Sequence, residues 1–262
     1  MSRTHACIAL TLFVSLSLAQ EAPPIELAKP LSDERTTELE NAFQKLLDEA
    51  SKLIQEKPIS LTGYSQRGDA LFFLGRFKEA VADYDKMITL DEGERASHWR
   101  RGIALFYAGQ FEEAAAQFES YHSFDQIDRE NGIWRYLSQH RADGRAKARE
   151  GLLKYQKDDR EPFPAVYKLF AGTMTPEEIL EQISEAKIAK MEREKRLFYA
   201  HLYIGLNHAV EGEDKLAQEH LALATRNAWG PVAGYGPHYM WQVGRLHEAI
   251  LRNKLQRPLP KK

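Results

Sequence analysis

The feature that most constrains the fold is a template that returns after 34 residues. Residues 61–94 carry Tyr64, Gly68, Leu71, Gly75, Phe77, Ala80, Tyr84 and Leu90, and the next 34 carry Gly102, Leu105, Gly109, Phe111, Ala114, Phe118 and Phe124 at the same places. That period fits a helix–turn–helix unit, which cannot bury its apolar face alone and is stable only when stacked on neighbours. Gly68 and Gly102, with Ala80 and Ala114, predict close approach of the paired helices. Tyr84 and Phe118 are expected to fill the space between pairs. Gly75 and Gly109 are expected to end each first helix in the left-handed conformation that suits glycine.

The remainder reads as further helices. Ser32 caps a helix over 32–58 whose apolar residues Leu39, Phe43, Leu46, Leu47, Ala50, Leu53 and Ile54 recur at three- and four-residue steps, and Pro58 ends it. Residues 129–157 keep a helical rhythm through Ile133, Trp134, Tyr136 and Leu137, then Ala142 to Leu153, but carry no template glycine; they read as a degenerate pair. An irregular helical insert spans 161–195. In it a short helix from Ala165 closes at Gly172, and Thr175-Pro176-Glu177-Glu178 starts another, with Thr175 as cap and Glu178 three residues on. Residues 198–252 resume the pattern: Gly205 and Gly212 stand seven apart, and Ala217, Leu221 and Ala224 take the second-helix places. A loop from Gly230 to Pro237 and a capping helix from His238 to Arg252 complete the reading, with 253–262 as a tail. No segment reads as a strand.

Residues 1–19 read as a signal peptide. Arg3 supplies the positive start, Ala6 to Leu18 is an apolar run, and Ser17-Leu18-Ala19 places small residues ahead of a cut before Gln20. The run is shorter than the ~20 apolar residues of a membrane span, although an uncleaved anchor stays open. Residues 20–31, with Pro23, Pro24 and Pro30, read as a linker. An exported protein, periplasmic or secreted, is expected. Cleavage removes Arg3, taking the formal net charge from -2 to -3, and removes Cys7, the single cysteine. No thiol then remains for a disulfide, a nucleophile or a metal. The balanced charge, without a basic stripe, argues against nucleic acid as a partner.

The two regular repeats resemble the tetratricopeptide-repeat (TPR) superfamily. The stretch Pro164-Ala165-Val166-Tyr167-Lys168-Leu169-Phe170-Ala171-Gly172, followed by Thr175-Pro176-Glu177-Glu178-Ile179-Leu180, is similar to a block in bacterial NlpI-type TPR lipoproteins. So is the pair from Phe198 to Asn227, with its Tyr203-Ile204-Gly205. The resemblance implies an all-α, right-handed α-solenoid of TPR helix-turn-helix repeats with extra N-terminal, middle and C-terminal helices. It implies an envelope scaffold or adaptor, often a homodimer, in a family whose members dock proteases and cell-wall hydrolases. The chain departs from that pattern in lacking a lipobox, since Cys7 opens the apolar stretch instead of closing it.

Catalytic signatures are missing. There is no Gly-x-Ser-x-Gly and no His-Glu-x-x-His, and the glycine-rich tract Gly230–Gly236 follows a helix, not the strand a phosphate loop needs. Neither enzyme activity nor a cofactor is expected. His201, His208 and His220 are expected to pack between helices instead of binding zinc, and His238 and His247 to lie at the surface or an edge. Asp83 and Asp85 are expected to be solvated. A TPR stack does supply a concave face, built from the first helix of each pair. Its inward places hold Thr62, Ser65, Asp69, Phe72 and Phe73, then Ala96, Trp99, Ile103, Phe106 and Tyr107. The candidate protein-binding residues are Ser65, Asp69, Phe72, Phe73, Trp99, Ile103, Phe106 and Tyr107, because an aromatic strip suits a peptide or helix groove. Ser65, Asp69 and Ile103 do not match the Lys, Asn and Arg that clamp a C-terminal carboxylate. The alternative left open is a purely structural, dimerising stack whose groove is filled by the helix over 33–57.

Overall fold

A computed structural model describes residues 31–157 and 159–256; the expected signal peptide, nearly all of the linker and the last six residues lie outside that range. Every regular element among the described residues is helical. In chain order these are α1 (Asp33–Glu56), α2 (Leu61–Phe73), α3 (Phe77–Leu90), α4 (Glu94–Ser97), α5 (Trp99–Tyr107), α6 (Phe111–Phe124), α7 (Arg129–Asp143) and α8 (Arg145–Glu150). They continue with α9 (Phe163–Ala171), α10 (Pro176–Glu185), α11 (Lys190–Glu211), α12 (Asp214–Arg226) and α13 (Tyr235–Gln256), with one 3-10 turn at Gly230–Val232. No described helix is long and apolar enough to cross a membrane.

Three pairs share one packing device. In α2–α3, α5–α6 and α11–α12 a glycine of the first helix lies under a side chain sixteen residues later. A Cβ on Gly68 would stand 2.6 Å from Tyr84, one on Gly102 2.6 Å from Phe118, and one on Gly205 2.8 Å from Leu221. Tyr84 and Phe118 therefore fill space within a pair and, as the sequence suggested, also reach the next pair, Tyr84 meeting His98 at 4.9 Å and Phe118 stacking on Trp134 at 6.1 Å. Each first helix then closes on a glycine at positive φ: Gly75 at 77°, Gly109 at 80° and Gly212 at 81°. The following amides return to the helix, Arg76 N to Leu71 O at 2.8 Å and Gln110 N to Leu105 O at 2.9 Å, which satisfies carbonyls that would otherwise be orphaned.

The period reaches further than the glycines. Arg67, Arg101 and Arg135 are spaced by the same 34 residues, and each bridges elements sixteen residues away. Arg67 grips Asp83 with two hydrogen bonds of 2.8 and 2.6 Å. Arg101 joins Asp85 at 2.6 Å to Gln117 at 3.0 Å. Arg135 joins Glu119 at 3.0 Å to the carbonyl of Gly151. Asp83 is thus buried, not solvated as the sequence suggested, because its fork-shaped partner satisfies both oxygens. The degenerate unit keeps this register, but its second helix stops at Glu150, short of Leu152 and Leu153. The cause is the segment beyond it. Tyr155 crosses so close to α7 that a Cβ on Gly132 would stand 2.5 Å from its hydroxyl, and Tyr167 donates to the carbonyl of Leu153 at 2.8 Å.

Two other junctions differ from expectation. The first helix of the second repeat breaks at His98, whose Nδ1 accepts the amide of Arg101 at 3.2 Å and starts α5 afresh. The charged stretch near Glu192 belongs to α11, not to the end of α10. Thr175 and Glu178 form the expected reciprocal cap, with Glu178 N donating to Thr175 Oγ1 at 3.3 Å and Thr175 N to Glu178 Oε2 at 2.8 Å.

Candidate binding site

The eight candidate residues share one face of α2 and α5, and most of that face is covered by α13. Tyr239 stacks on Phe72 at 5.5 Å and packs on Phe73 at 4.8 Å and Trp99 at 4.9 Å. The Tyr107 hydroxyl meets Nδ1 of His247 at 2.8 Å. His247 is therefore held against α5, not at an edge, and burial pushes its pKa down to about 4. Arg245 donates to the carbonyl of Phe73 at 3.2 Å, closing the C-terminus of α2. The helix over 33–56, which could have filled the groove, reaches Phe73 through Phe43 at 4.9 Å, whereas it is α13 that spans both repeats.

At one end of this face the polar residues form a closed set. Oδ1 of Asp69 accepts the Tyr84 hydroxyl at 2.7 Å and Arg100 at 2.8 Å, and Oδ2 accepts the Tyr235 hydroxyl at 2.5 Å. Arg100 also donates to Ser65 at 2.9 Å and to Tyr235 at 3.0 Å. A buried carboxylate with so many donors is fully satisfied. Ser65 and Asp69 thus anchor the start of α13. Arg100 is the residue the sequence did not single out; its neighbour Trp99 sat on the template and Arg100 did not.

Beyond Tyr239 the cover is incomplete. A cavity of about 310 Å³ opens among α5, α6, α7 and the start of α13. Trp99, Ile103, Phe118, Trp134 and Met240 make its apolar walls, and Asp128, Glu130, Asn131, Arg160 and Tyr199 its polar side. Trp99 and Ile103 are the two candidate residues that reach it. Phe106 instead packs on Trp134 at 5.5 Å and Phe111 at 5.5 Å as core.

The polar side is a compact ionic cluster. Asp128 caps α7 by accepting the amide of Glu130 at 3.0 Å and holds Asn131 at 2.6 Å. Arg160 reaches Glu130 at 2.5 Å, Asp159 at 3.2 Å and Asp128 at 3.4 Å. Its guanidinium also lies 4.3 Å from the Phe163 ring centre. Tyr203 donates to the other oxygen of Glu130. Burial raises the Glu130 pKa to about 7 despite the opposing Arg160, with Asp128 adding to the rise. Asp128 is also raised, chiefly by burial. Comparison with known proteins finds no family model and no curated protein that matches this sequence.

The three histidines of the late pair do come together. His201 and His220 approach at 3.0 Å through their Nδ1 atoms, and His208 stacks on His220 at 5.6 Å. Burial pushes His201 down to about 3 and His220 to about 4, so both rings are neutral at pH 7. Among the described residues no group of three or more His, Cys, Asp or Glu is arranged to hold a metal ion.

Proposed function

We propose that the chain is a non-catalytic, exported adaptor, a right-handed solenoid of TPR units, that holds a segment of another protein beside α13 with one anchor side chain in the cavity. The observation that carries the reading is that Trp99 and Ile103, inward by the repeat template, form walls of that cavity. Support for the repeat assignment comes from the three pairs with one glycine-to-side-chain contact and one turn geometry. By resemblance, envelope proteases and cell-wall hydrolases are the partner classes to try first.

A second reading, a purely structural stack that dimerises, draws support from α13 seated on the aromatic strip. One experiment separates the two. The purified protein is used as bait in envelope extract beside a Trp99→Ala variant, and both are checked by thermal melting. The adaptor reading expects a partner that the variant releases while it still melts in one cooperative transition, lowered by the lost packing of Trp99 on Tyr239. Recovery of the protein's own copies alone would favour the structural reading.

A further inference from the structure

We infer that the cavity is a receptor for one cationic side chain, arginine or lysine, of a bound polypeptide, its stem between Trp99, Phe118 and Met240 and its charge toward Asp128 and Glu130. The inference rests on the adaptor reading and deepens it.

Size comes first. Small-molecule sites run from ~300 to ~1,000 Å³, and at about 310 Å³ this one suits a single long side chain. The walls come next. Aromatic faces attract a cation through their quadrupole, most strongly tryptophan, and Trp99, Trp134, Phe118, Tyr121 and Tyr199 all line the space.

Charge decides the sign. The lining contains two carboxylates and one guanidinium, and that guanidinium, Arg160, is already held by Glu130, Asp128 and a third carboxylate, Asp159. An incoming anion would have to compete for Arg160 beside like charges. An apolar group would leave three carboxylates, Asp128, Glu130 and Asp159, sharing one guanidinium. A cation offsets that excess. The nearby Arg129 guanidinium lies over the Tyr155 ring at 5.1 Å and is not part of the lining. The rim has room for a peptide backbone, since a Cβ on Gly236 would meet nothing within 4 Å.

The test uses the whole protein and a blocked Ala-Arg-Ala tripeptide, with its citrulline counterpart as the neutral isostere and agmatine as the free amine. Binding is followed by tryptophan fluorescence, for which Trp99 and Trp134 are wall residues, and by calorimetry. The arginine peptide is expected to bind saturably and about tenfold more tightly than the citrulline peptide, and Glu130→Gln is expected to lose about that factor. Affinity is also expected to rise several-fold between pH 6 and pH 8 as Glu130 ionises. The groups facing Glu130 are Asp128, Asp159, Arg160, Tyr199 and Tyr203. Of these, Asp128 too is raised by burial and changes charge in the same direction as Glu130. Equal binding of the citrulline peptide, or no saturable binding, overturns the inference. Agmatine binding as tightly as the peptide overturns the side-chain source. A protein partner retained equally by the parent and by Glu130→Gln defeats the cation site while leaving the adaptor reading intact. Arginine-specific binding without any protein partner does the reverse.

Discussion

At the scale of single residues the packing is tightest where glycine meets a ring. Gly102→Ala adds a methyl group 2.6 Å from Phe118 Cζ, nearer than any real contact. Alanine improves helix propensity by up to ~1 kcal/mol, but overpacking a closed interior costs about 1–3 kcal/mol. The ring is fully buried and stacked on Trp134 at 6.1 Å, and although it borders the cavity it can move there only by breaking that stacking, so the clash wins. A urea-midpoint measurement is expected to find Gly102→Ala destabilised by about 1–2 kcal/mol, and Gly236→Ala, which meets open space, unchanged within error. A stabilised Gly102→Ala would mean the pair is looser than drawn. This contact was legible in the sequence because spacing alone reports it. The buried state of Asp83 was not, although the same spacing of sixteen residues back to Arg67 contained the information. A charged residue beside a packing aromatic reads as solvated until its partner is found, and the partner sits on another helix.

At the scale of elements, α13 is what fixes the inner face of the two regular repeats. Its sequence announces a helix, and its start, at Tyr235 instead of His238, differs by three residues. Its destination could not be read. Tyr235 meets Asp69 across 166 residues and His247 meets Tyr107 across 140, while helical periodicity is information about a few neighbouring turns. The contact is also the main support of the fold at this point, because Tyr239 touches Phe72, Phe73 and Trp99 at once. Removing a buried aromatic side chain costs ~3–5 kcal/mol when the site cannot collapse. Tyr239→Ala is expected in that range by urea denaturation, with exposed apolar surface reported by dye binding. A change below about 1 kcal/mol would mean that α13 rests on the repeats lightly and could be displaced by a partner.

At the scale of the whole molecule, the buried histidines and the buried carboxylates pull stability in opposite directions as pH falls. His98 and His201 are pushed to about 3, and His220 and His247 to about 4, in each case chiefly by burial. In the unfolded chain these rings take protons near pH 6.5. Between about pH 6.5 and pH 4 the unfolded state therefore binds more protons at all four sites, and stability is lost as pH falls through that window. Glu130, raised to about 7, has the reverse sign. Its folded form holds a proton that the unfolded chain gives up above about 4.5, so it contributes stability on the acid side. Asp128, raised less, adds a smaller effect of the same sign. Four lowered histidines outnumber two raised carboxylates, and the net expectation is a melting temperature that falls steadily from pH 7 to pH 4.5. Replacing His220 by Gln is expected to flatten that slope, whereas Glu130→Gln is expected to steepen it, because the opposing contribution is gone. Thermal melts of the three proteins across pH 4.5–7.5 measure both effects. A Glu130→Gln curve parallel to the parent's would show that this carboxyl is ionised at neutral pH like an ordinary glutamate, and the cavity would then present a full permanent negative charge instead of one that a bound cation draws out.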